Sequence, residues 1–281
     1  MNYQFALIGF PIKHSLSPWI HEQFLKKSGL NGTYSIIEID PNEPLDETVR
    51  ELKNSQINGF NVTVPYKKRI IPYLDELDEQ AMEIGAVNTV VNRNGKWIGY
   101  NTDGSGYVRA FENKYPGIIS NPKYKILLIG AGGAARGIYY ALTAAGCQRI
   151  DIANRTKSSA EEIASLKKDS TKTSLLTIEK AEAAFDYYDI VIQTTSVGMK
   201  PYHEKCIVNI DRVKAGSVVS DIVYQPIKTA FLQQAEQLGA RIHYGHTMLL
   251  YQAQYAFEIW TNHYVSIDEM DNELREILEG R

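Results

Sequence analysis

The sequence has little cysteine, and this scarcity limits the class of protein it can encode. Cys147 and Cys206 are its only cysteines, and they lie far apart in a chain of 281 residues. Two isolated cysteines exclude a disulfide-stapled scaffold and are typical of a protein in a reducing compartment. We therefore predict a cytoplasmic protein.

An excess of one charge is also absent. Lys and Arg number 30 against 33 Asp and Glu, which gives a formal net charge of -3. A chain with mixed signs has no basic footprint, so neither nucleic acid nor an anionic membrane is the expected partner.

Long hydrophobic runs are missing as well. The first residues, MNYQFALIGFPIKHS, have no basic start, and Pro11 interrupts their short apolar run, unlike a signal peptide. No stretch approaches the roughly 20 apolar residues that cross a bilayer. The predicted partner is a small-molecule substrate, and the chain alone leaves monomer and homodimer open.

The six histidines form no metal motif. His243 and His246 are the closest pair, and no carboxylate accompanies them at helical spacing. We predict no metal site and interpret these histidines as surface or loop residues.

Strand-like and helix-like segments alternate along the first hundred residues, in a chain whose length suits two domains. Strand patterns cover 3–9, 34–39 and 60–64, and helices are predicted to begin near 18, near 47 and after 72. Asn94-Gly95, a strong hairpin signal, separates strand patterns at 87–92 and 96–100. We predict an α/β region that ends in an antiparallel ribbon.

A polar, turn-rich stretch at 107–125 indicates the domain boundary. Beyond it, short apolar strands such as KILLIG and DIVIQTTS alternate with helices, the pattern of a parallel sheet covered on both faces. A helix over 248–260 is predicted from an apolar stripe, and a charged helix from 268 to 278 closes the chain.

A glycine-rich string follows the first strand of this second half. Gly130-Ala131-Gly132-Gly133-Ala134-Ala135 separates the strand at 125–129 from a predicted helix over 134–145, and a second strand follows at 149–153. In this βαβ frame the glycines allow a tight turn, so the pyrophosphate of a dinucleotide can rest on the helix N-terminus. The alternative is a glycine-rich turn that serves packing alone.

The residues after the second strand indicate which dinucleotide binds. An NAD site needs a carboxylate there for the ribose 2′-hydroxyl, whereas this chain has Asn154-Arg155-Thr156 followed by Lys157. Arg155 can make charge-assisted hydrogen bonds to a 2′-phosphate, and Asp151 lies inside the strand. The predicted cofactor is NADP, although Arg155 considered alone would be a solvated surface charge.

The stretch Asn61-Val62-Thr63-Val64-Pro65-Tyr66-Lys67 is the most informative part of the first half. Asn61 and Thr63 project from one face of the predicted strand. Asparagine is disfavoured in strands, so a site explains it better than backbone preference does. Lys67 follows the strand end, where such sheets place ligands, although an isolated lysine is more often merely exposed.

Three further polar positions each allow a structural explanation. Ser15-Leu16-Ser17-Pro18 predicts Ser17 as a helix N-cap, while two hydroxyls at a helix N-terminus also suit a substrate carboxylate. Asp103-Gly104 considered alone predicts a turn. Gln252 lies beside the apolar stripe of its helix, where a buried carboxamide needs partners such as a polyhydroxylated ligand.

Together these motifs resemble those of shikimate dehydrogenases over nearly the whole chain. In chain order they are Ser-Leu-Ser-Pro (15–18), Asn-Val-Thr-Val-Pro-Tyr-Lys (61–67), Gly-Ala-Val-Asn-Thr (85–89), Asn-Thr-Asp-Gly (101–104), Gly-Ala-Gly-Gly-Ala-Ala-Arg (130–136), Asn-Arg-Thr (154–156), Thr-Ser-Val-Gly-Met (195–199) and Asp-Ile-Val-Tyr (221–224). The resemblance implies reversible, NADP-dependent reduction of 3-dehydroshikimate to shikimate, a step toward chorismate and the aromatic amino acids. It also implies hydride transfer in a cleft between the two domains.

The resemblance further implies roles for individual residues. Lys67 and Asp103 would form the catalytic pair beside the reacting hydroxyl. The residues implied to hold the substrate are Ser15, Ser17, Asn61, Thr63, Asn88, Tyr224 and Gln252. The residues implied to contact the cofactor are Gly130, Ala131, Gly132, Gly133, Ala134, Asn154, Arg155, Thr156, Lys157, Thr195, Val223 and Gly245, with Glu79 on the nicotinamide side.

Three positions depart from the usual family pattern. Ser159 stands where a further basic residue is common, so Lys157 is expected to share the 2′-phosphate with Arg155. Thr247 replaces a usual glycine, and Gln193 replaces the common asparagine.

The expected fold class is α/β with two domains. An α/β substrate-binding domain is predicted over 1–105, and a Rossmann-type, doubly wound NADP domain over 106–246. The C-terminal helices of 247–281 are predicted to return to the substrate domain.

Two other functions stay open. A quinate or dual shikimate/quinate dehydrogenase that uses NAD would share the pocket residues, although Arg155 disfavours NAD. An NADP-sensing protein without turnover would not need to keep both Lys67 and Asp103.

Overall fold

The structure is a computed structural model that describes residues 2–119 and 121–280. It divides into two compact units. The first unit comprises Met1–Thr102 and Gln252–Ser266, and the second comprises Asp103–Tyr251 and Ile267–Arg281.

The first unit contains a six-stranded mixed sheet. Its strands are β1 (Asn2–Gly9), β2 (Asn31–Glu38), β3 (Gly59–Val62), β4 (Glu76–Leu77), β5 (Thr89–Arg93) and β6 (Lys96–Tyr100), in the order β2-β1-β3-β5-β6-β4. β1 pairs parallel with β2 and β3, so helical crossovers must join these strands. The helices of this part are α1 (Ser17–Ser28), α2 (Leu45–Asn54) and α3 (Glu79–Ile84).

The ribbon of β5 and β6 confirms the predicted hairpin. Asn94 and Gly95 have φ angles of 55° and 88°, the left-handed backbone that a two-residue turn between antiparallel strands requires. The helix predicted after Pro72 starts later than expected, because a short 3-10 turn, Ile71–Tyr73, and β4 precede α3.

An aromatic cluster covers one face of this sheet. The ring of Phe5 on β1 stacks on Trp260, with centroids 4.5 Å apart. The Trp260 indole N–H donates to the carbonyl of Val90 at 2.9 Å. A Cβ on Gly59 would lie 2.3 Å from that indole nitrogen, so only glycine lets β3 run beneath the ring.

The second unit contains a fully parallel, doubly wound sheet. Its strands are β7 (Ile126–Ile129), β8 (Ile150–Ala153), β9 (Leu175–Leu176), β10 (Ile190–Gln193), β11 (Val218–Asp221) and β12 (Arg241–His243), in the order β12-β11-β10-β7-β8-β9. Its helices are α4 (Asp103–Lys114), α5 (Gly133–Ala144), α6 (Lys157–Ala164), α7 (Ile178–Ala183), α8 (Ala230–Gln237), the first residues of α9 (Gly245–Thr261) and α10 (Met270–Glu279). The strand order reverses between β7 and β10, and sheets of this kind bind ligands at that point.

Successive side chains of β7 pack on opposite faces of this sheet, and both faces are buried. Ile126 and Leu128 pack with Tyr107 and Phe111 on one face, and Leu127 packs with Phe231 and Leu232 on the other. The continuous apolar run is therefore that of a strand covered on both faces, as predicted from the sequence.

The predicted boundary region and C-terminus differ from the structure. Residues 103–114, expected to be a turn and the start of a loop, form α4, whose Tyr107 and Phe111 are buried. A Cβ on Gly104 would lie 2.1 Å from the Gly137 carbonyl, so this glycine allows α4 to pack closely on α5. The sequence pattern of Asp-Gly did not reveal that tertiary contact.

The last helix belongs to the second unit, whereas we expected all of 247–281 to return to the first. α9 passes from one unit to the other after Tyr251, and only 252–266 belongs to the first. α10 buries Met270, Leu274 and Leu278, and the carboxylate of Asp271 lies 2.9 Å from Nε2 of His246. The spacing of four residues between the buried positions gives α10 one apolar face, which packs within the second unit.

Among the described residues, no helix is both long and apolar enough to span a membrane. Within the same ranges, no three His, Cys, Asp or Glu side chains are grouped so that they could hold a metal ion.

Candidate active site

Ser15 and Ser17 lie at the start of α1, and their hydroxyl oxygens are 3.2 Å apart. The amide of Ser17 donates to Oγ of Ser15 at 3.2 Å. We predicted Ser17 as the N-cap, but Leu16 holds that position without a side-chain cap, and Pro18 lies in the first turn. The Ser17 hydroxyl accepts from that of Ser15 and donates to the phenol of Tyr34.

Asn61 lies at the centre of a buried polar cluster on β3. Its Oδ1 accepts from the Tyr34 hydroxyl at 2.8 Å, and its Nδ2 donates to the Asn88 carbonyl and to Oγ1 of Thr89, both at 3.1 Å. All the amide's atoms are therefore used, which explains how a strand tolerates this asparagine.

Asn88 extends this cluster toward Gln252. Oδ1 of Asn88 accepts from the Thr89 hydroxyl at 3.0 Å and from the Thr102 amide at 2.8 Å. Its Nδ2 donates to Oγ1 of Thr102 at 2.9 Å and reaches Oε1 of Gln252 at 3.5 Å. Asp103 follows Thr102 in the chain, so the backbone that leads into Asp103 is anchored by Asn88.

Lys67 is held by its backbone in a turn that follows β3. Its carbonyl accepts from the amide of Val87 at 2.8 Å, and the amide of Tyr66 donates to Thr63 at 2.9 Å. The buried Tyr66 hydroxyl donates to the Ile39 carbonyl at 2.8 Å. The turn is thus anchored on both sides, which leaves the half-buried Lys67 chain beside the segment that carries Asn88, while Lys68 is exposed.

The glycine-rich loop of the second unit joins β7 to α5. Gly130 has a φ of 111°, and a Cβ there would lie 2.6 Å from Oγ1 of Thr194. A Cβ on Gly132 or Gly133 would meet nothing within 4 Å, and both residues are exposed. The N-terminus of α5 is therefore accessible from solvent, as binding of a pyrophosphate requires. Ala135, in contrast, is fully buried.

The end of β8 separates an acidic from a basic residue. Asp151 is buried, and its two oxygens accept from the Ser174 amide and the Tyr188 hydroxyl, each at 2.9 Å. Arg155 is exposed beyond the strand end, where Nδ2 of Asn154 donates to the Thr156 carbonyl at 2.9 Å. The side chain directed to solvent at this position is thus cationic.

Lys157 begins α6 next to Arg155. Its ammonium lies 3.3 Å from Glu161, one helical turn further on, and both side chains are exposed. An exposed pair of this kind is weak and exchanges readily with a stronger anion.

Gln193 and Asp221 connect the loops that follow β10 and β11. Oε1 of Gln193 accepts from the Thr195 amide, and its Nε2 donates to Asp221 and to the Val197 carbonyl, both at 3.1 Å. The Asp221 carboxylate also accepts from the Val223 amide at 2.9 Å. Burial raises the pKa of Asp221 to about 7, against the opposing effect of these donors. The pair holds the backbone beside Thr195 and Val223, and Tyr224 follows at once.

Gly245 lies where the loop after β11 meets the start of α9. A Cβ on Gly245 would lie 2.4 Å from the carbonyl oxygen of Ile222, so the close approach requires glycine. Thr247, which stands where the family usually has glycine, donates to the Tyr244 carbonyl at 2.8 Å. Its hydroxyl is therefore accommodated inside the first turn of the helix.

The predicted site residues divide between the two units. Those in the first unit are Ser15, Ser17, Asn61, Thr63, Lys67, Glu79, Asn88 and Gln252. Those in the second unit are Asp103, the 130–134 loop, the 154–157 segment, Thr195, Val223, Tyr224 and Gly245. The cluster around Asn61 and Asn88 joins several of the first group by hydrogen bonds, whereas Glu79 is exposed in the first turn of α3, after the N-cap Asp78.

Tyr34, Thr89 and Thr102 belong to the cluster, but the sequence did not predict them as site residues. Tyr34 lies in a strand pattern where an aromatic residue predicts core packing, and the hydrogen bond that its hydroxyl makes is formed across β1. Thr89 ended a motif that the resemblance covered, but nothing in the sequence indicated its partners.

Family models match three successive parts of the chain. The model described as shikimate dehydrogenase substrate binding domain matches residues 7–90. The shikimate / quinate 5-dehydrogenase model matches 117–223, and the shikimate 5′-dehydrogenase C-terminal domain matches 245–275.

Individual relatives match over nearly their full length. A protein of Oceanobacillus iheyensis named shikimate dehydrogenase (NADP(+)) is 52% identical over 281 residues, 100% of both chains. The crystal structure of shikimate 5-dehydrogenase from Listeria monocytogenes with shikimate and NAD has 35% identity and a TM-score of 0.89, and the match covers 97% of this chain and 96% of that one. The Thermus thermophilus enzyme with NADP(H) and shikimate has 31% identity and a TM-score of 0.84 over 98% of this chain and 99% of that one.

Proposed function

This chain belongs to the shikimate dehydrogenase family, and on that basis we propose that it catalyses the reversible, NADP-dependent reduction of 3-dehydroshikimate to shikimate. This reaction is a step toward chorismate and the aromatic amino acids. The observation that carries the proposal is the presence, in one chain, of a hydrogen-bonded cluster of hydroxyl and amide groups beside Lys67 and of an open glycine loop with Arg155 beyond β8.

The cluster in the first unit suits a small, polyhydroxylated acid. The serine pair at the N-terminus of α1 suits the carboxylate, because a helix N-terminus favours an anion and the Ser15 hydroxyl can turn its proton from Ser17 to that anion. Thr63, Asn88 and Gln252 offer donors and acceptors for the ring hydroxyls. Asn61 supports this set from within the cluster, and Tyr224 adds a phenol from the second unit.

The loops at the carboxyl ends of β7, β8, β10 and β11 suit NADP. Gly130 to Ala134 would receive the pyrophosphate, and Asn154, Arg155, Thr156 and Lys157 the 2′-phosphorylated ribose. Thr195, Val223 and Gly245 would contact the remainder of the cofactor, with Glu79 on the nicotinamide side. Bound NADP supplies the group that accepts or donates hydride.

Lys67 and Asp103 would assist transfer of the proton to and from the reacting oxygen of the substrate. During oxidation the substrate hydroxyl loses a proton as hydride leaves the same carbon, and during reduction the carbonyl oxygen gains one. The ammonium of Lys67 can donate that proton or stabilise the alkoxide, and the Asp103 carboxylate can hold the ammonium in place.

The free thiols of Cys147 and Cys206 support a reducing compartment, and we propose the cytoplasm.

Substitution of Lys67 tests this assignment. We expect Lys67→Ala to lower kcat for shikimate oxidation by about 10²- to 10⁴-fold, because a positioned acid-base group contributes that much. Binding of NADP, measured by calorimetry, should be unchanged. Lys68→Ala is the matched control, since it removes the neighbouring exposed lysine.

Near-normal turnover by Lys67→Ala would refute the role of Lys67. An equal loss in Lys68→Ala would also contradict it, because the effect would then follow from charge or folding of the turn and not from a group at the reacting oxygen.

Quinate is the second candidate substrate. The model that matches 117–223 is described as shikimate / quinate 5-dehydrogenase, so it covers both activities. A comparison of the two acids with both cofactors separates these candidates.

A further inference from the structure

Tyr34 connects two polar groups of the first unit that the proposed function assigns to substrate binding. Its ring is buried, and its hydroxyl accepts a hydrogen bond from Ser17. The same hydroxyl donates to Oδ1 of Asn61 at 2.8 Å. One phenol therefore joins the serine pair at α1 to the cluster of Asn61, Thr89 and Asn88.

The donation by Tyr34 fixes the orientation of the Asn61 amide. Since Oδ1 of Asn61 accepts from Tyr34, its Nδ2 must point to the Asn88 carbonyl and to Thr89 Oγ1, at 3.1 Å each. Thr89 then accepts from Asn61 and donates to Oδ1 of Asn88 at 3.0 Å. Nδ2 of Asn88 is left as the donor toward Thr102 and Gln252.

The phenol and the Asn88 carbonyl together hold this orientation, because a terminal amide can otherwise exchange its oxygen and nitrogen by turning over. Without Tyr34, Oδ1 of Asn61 loses its donor at 2.8 Å, and only the Asn88 carbonyl still distinguishes the two ends of the amide. The loss of one of these two contacts weakens the orientation of the Asn61 amide and, through Thr89, the hydrogen-bond directions at Asn88.

The packing around Tyr34 holds the hydroxyl in place. The ring stacks on His21 with centroids 4.5 Å apart and planes 6° from parallel. Burial lowers the pKa of His21 to about 3, so this neighbour is uncharged near neutral pH. Burial raises the pKa of Tyr34 as well, so its phenol keeps the proton that it donates.

We propose that Tyr34 is a positioning residue for substrate recognition, which acts through Ser17 and Asn61 to set the hydrogen-bond directions that a shikimate-like acid meets. This inference rests on the proposed function of the first unit. Tyr34 itself reaches the ligand only through its two partners, so its loss affects binding of the acid and leaves the cofactor contacts of the second unit intact.

The test compares two buried tyrosines that each lose one hydroxyl. Tyr34→Phe removes the link, and Tyr139→Phe is the matched control, because Tyr139 is buried on α5 and its hydroxyl lies 2.7 Å from Thr173 Oγ1, in the unit without the cluster. The dissociation constant of shikimate is measured by calorimetry, and that of NADP alongside it. We expect Tyr34→Phe to weaken shikimate binding about tenfold and the control to leave it unchanged.

A second pair of variants tests the same relay, which is the series of hydrogen bonds from Tyr34 through Asn61 and Thr89 to Asn88. Both variants leave the aromatic stack of Tyr34 unchanged. Thr89→Val keeps the shape of the side chain but removes the hydroxyl between Asn61 and Asn88, whereas Thr89→Ser retains it. We expect weaker shikimate binding in Thr89→Val, near-normal binding in Thr89→Ser, and no further loss when Tyr34→Phe is combined with Thr89→Val. Binding of NADP should stay constant in all of them.

The outcomes separate this inference from the proposed function. Shikimate binding unchanged in both Tyr34→Phe and Thr89→Val, or equally weak in Tyr139→Phe, would overturn the role of Tyr34. A wild-type protein that binds shikimate but does not oxidise it with NADP would refute the proposed function while the dissociation constants still decide on Tyr34. Additive losses in the double variant would also count against a shared relay.

Discussion

Asp151 and Arg155 lie close together at the end of β8, and their surroundings give them opposite roles. Asp151 is buried, with both oxygens occupied by the Ser174 amide and the Tyr188 hydroxyl, and Arg155 is exposed. A carboxylate whose oxygens are both occupied inside the fold is not available to a ribose hydroxyl, so we propose that cofactor choice at this strand depends on the cation. The sequence alone predicted this residue correctly in position, because a strand end is defined locally.

Cofactor preference should therefore depend on Arg155. We expect Arg155→Ala to weaken NADP binding by about 10- to 100-fold, the worth of a hydrogen bond to a charged group, with little change for NAD. Lys167→Ala, which removes an exposed positive charge elsewhere in the same unit, is the control. Calorimetric dissociation constants for both cofactors measure the effect, and parallel losses for NADP and NAD in Arg155→Ala would contradict it.

Individual residues also mark the limit of sequence interpretation within the site. Asn61 and Gln252 were predicted because polar residues stand out in a strand and beside an apolar stripe, the serine pair because it stands at a helix start, and Asn88 because of the family resemblance. Tyr34 did not stand out, because an aromatic residue on a strand is ordinary core. Its function depends on a bond that crosses from β2 to β3, which no local pattern encodes.

At the scale of elements, structures with local causes were predictable and those with tertiary causes were not. The hairpin at Asn94-Gly95 follows from backbone preference, and the buried β7 follows from its unbroken apolar run. Asp103-Gly104 was interpreted as a turn but begins α4, since Gly104 lets that helix approach Gly137. At this position the packing between α4 and α5 determines the backbone conformation, and the local preference of Asp-Gly for a turn does not.

The buried ring of His21 on helix α1 should make the free energy of unfolding depend on pH. Burial lowers the pKa of His21 to about 3 from an ordinary value of 6.5, so the unfolded chain binds a proton that the folded chain rejects. This stability is complete above pH 6.5 and is lost as the pH falls toward 3. Between pH 6.5 and 5 the loss should be about 2 kcal/mol.

Replacement of that histidine should flatten the dependence. We expect His21→Phe to lose less unfolding free energy than the wild type between pH 7 and pH 5, measured by urea titration, while the exposed His14→Phe behaves like the wild type. Equal losses in His21→Phe and the wild type would show that this ring does not titrate with unfolding. His243 in the second unit, whose pKa burial also lowers to about 3, leaves a residual dependence in both.

At the scale of the whole molecule, the sequence predicted two α/β parts and the doubly wound order of the second sheet. It did not predict the path of the C-terminus, where 252–266 belongs to the first unit and α10 to the second. The periodicity of an amphipathic helix shows that one face is buried, but it does not show which surface covers that face. The periodicity of α10 is satisfied by either unit, and only the packing of Met270, Leu274 and Leu278 decides.

The proposed activity is based on two features, a hydrogen-bonded polar cluster beside Lys67 in the first unit and an open glycine loop with Arg155 beyond β8 in the second. The protein is thus expected to show a paired preference, for shikimate as the acid and for NADP as the cofactor. The preference for shikimate separates this assignment from a quinate dehydrogenase, and the preference for NADP separates it from an enzyme that uses NAD.

Steady-state oxidation by the wild-type protein tests that claim most directly. Absorbance of the reduced cofactor is followed with shikimate and quinate, each with NADP+ and NAD+. The expected result is the highest kcat/KM for shikimate with NADP+, about 10- to 100-fold above shikimate with NAD+, because we propose that Arg155 contacts the 2′-phosphate. Equal or faster oxidation with NAD+, a preference for quinate, or no reduction of either cofactor would contradict it.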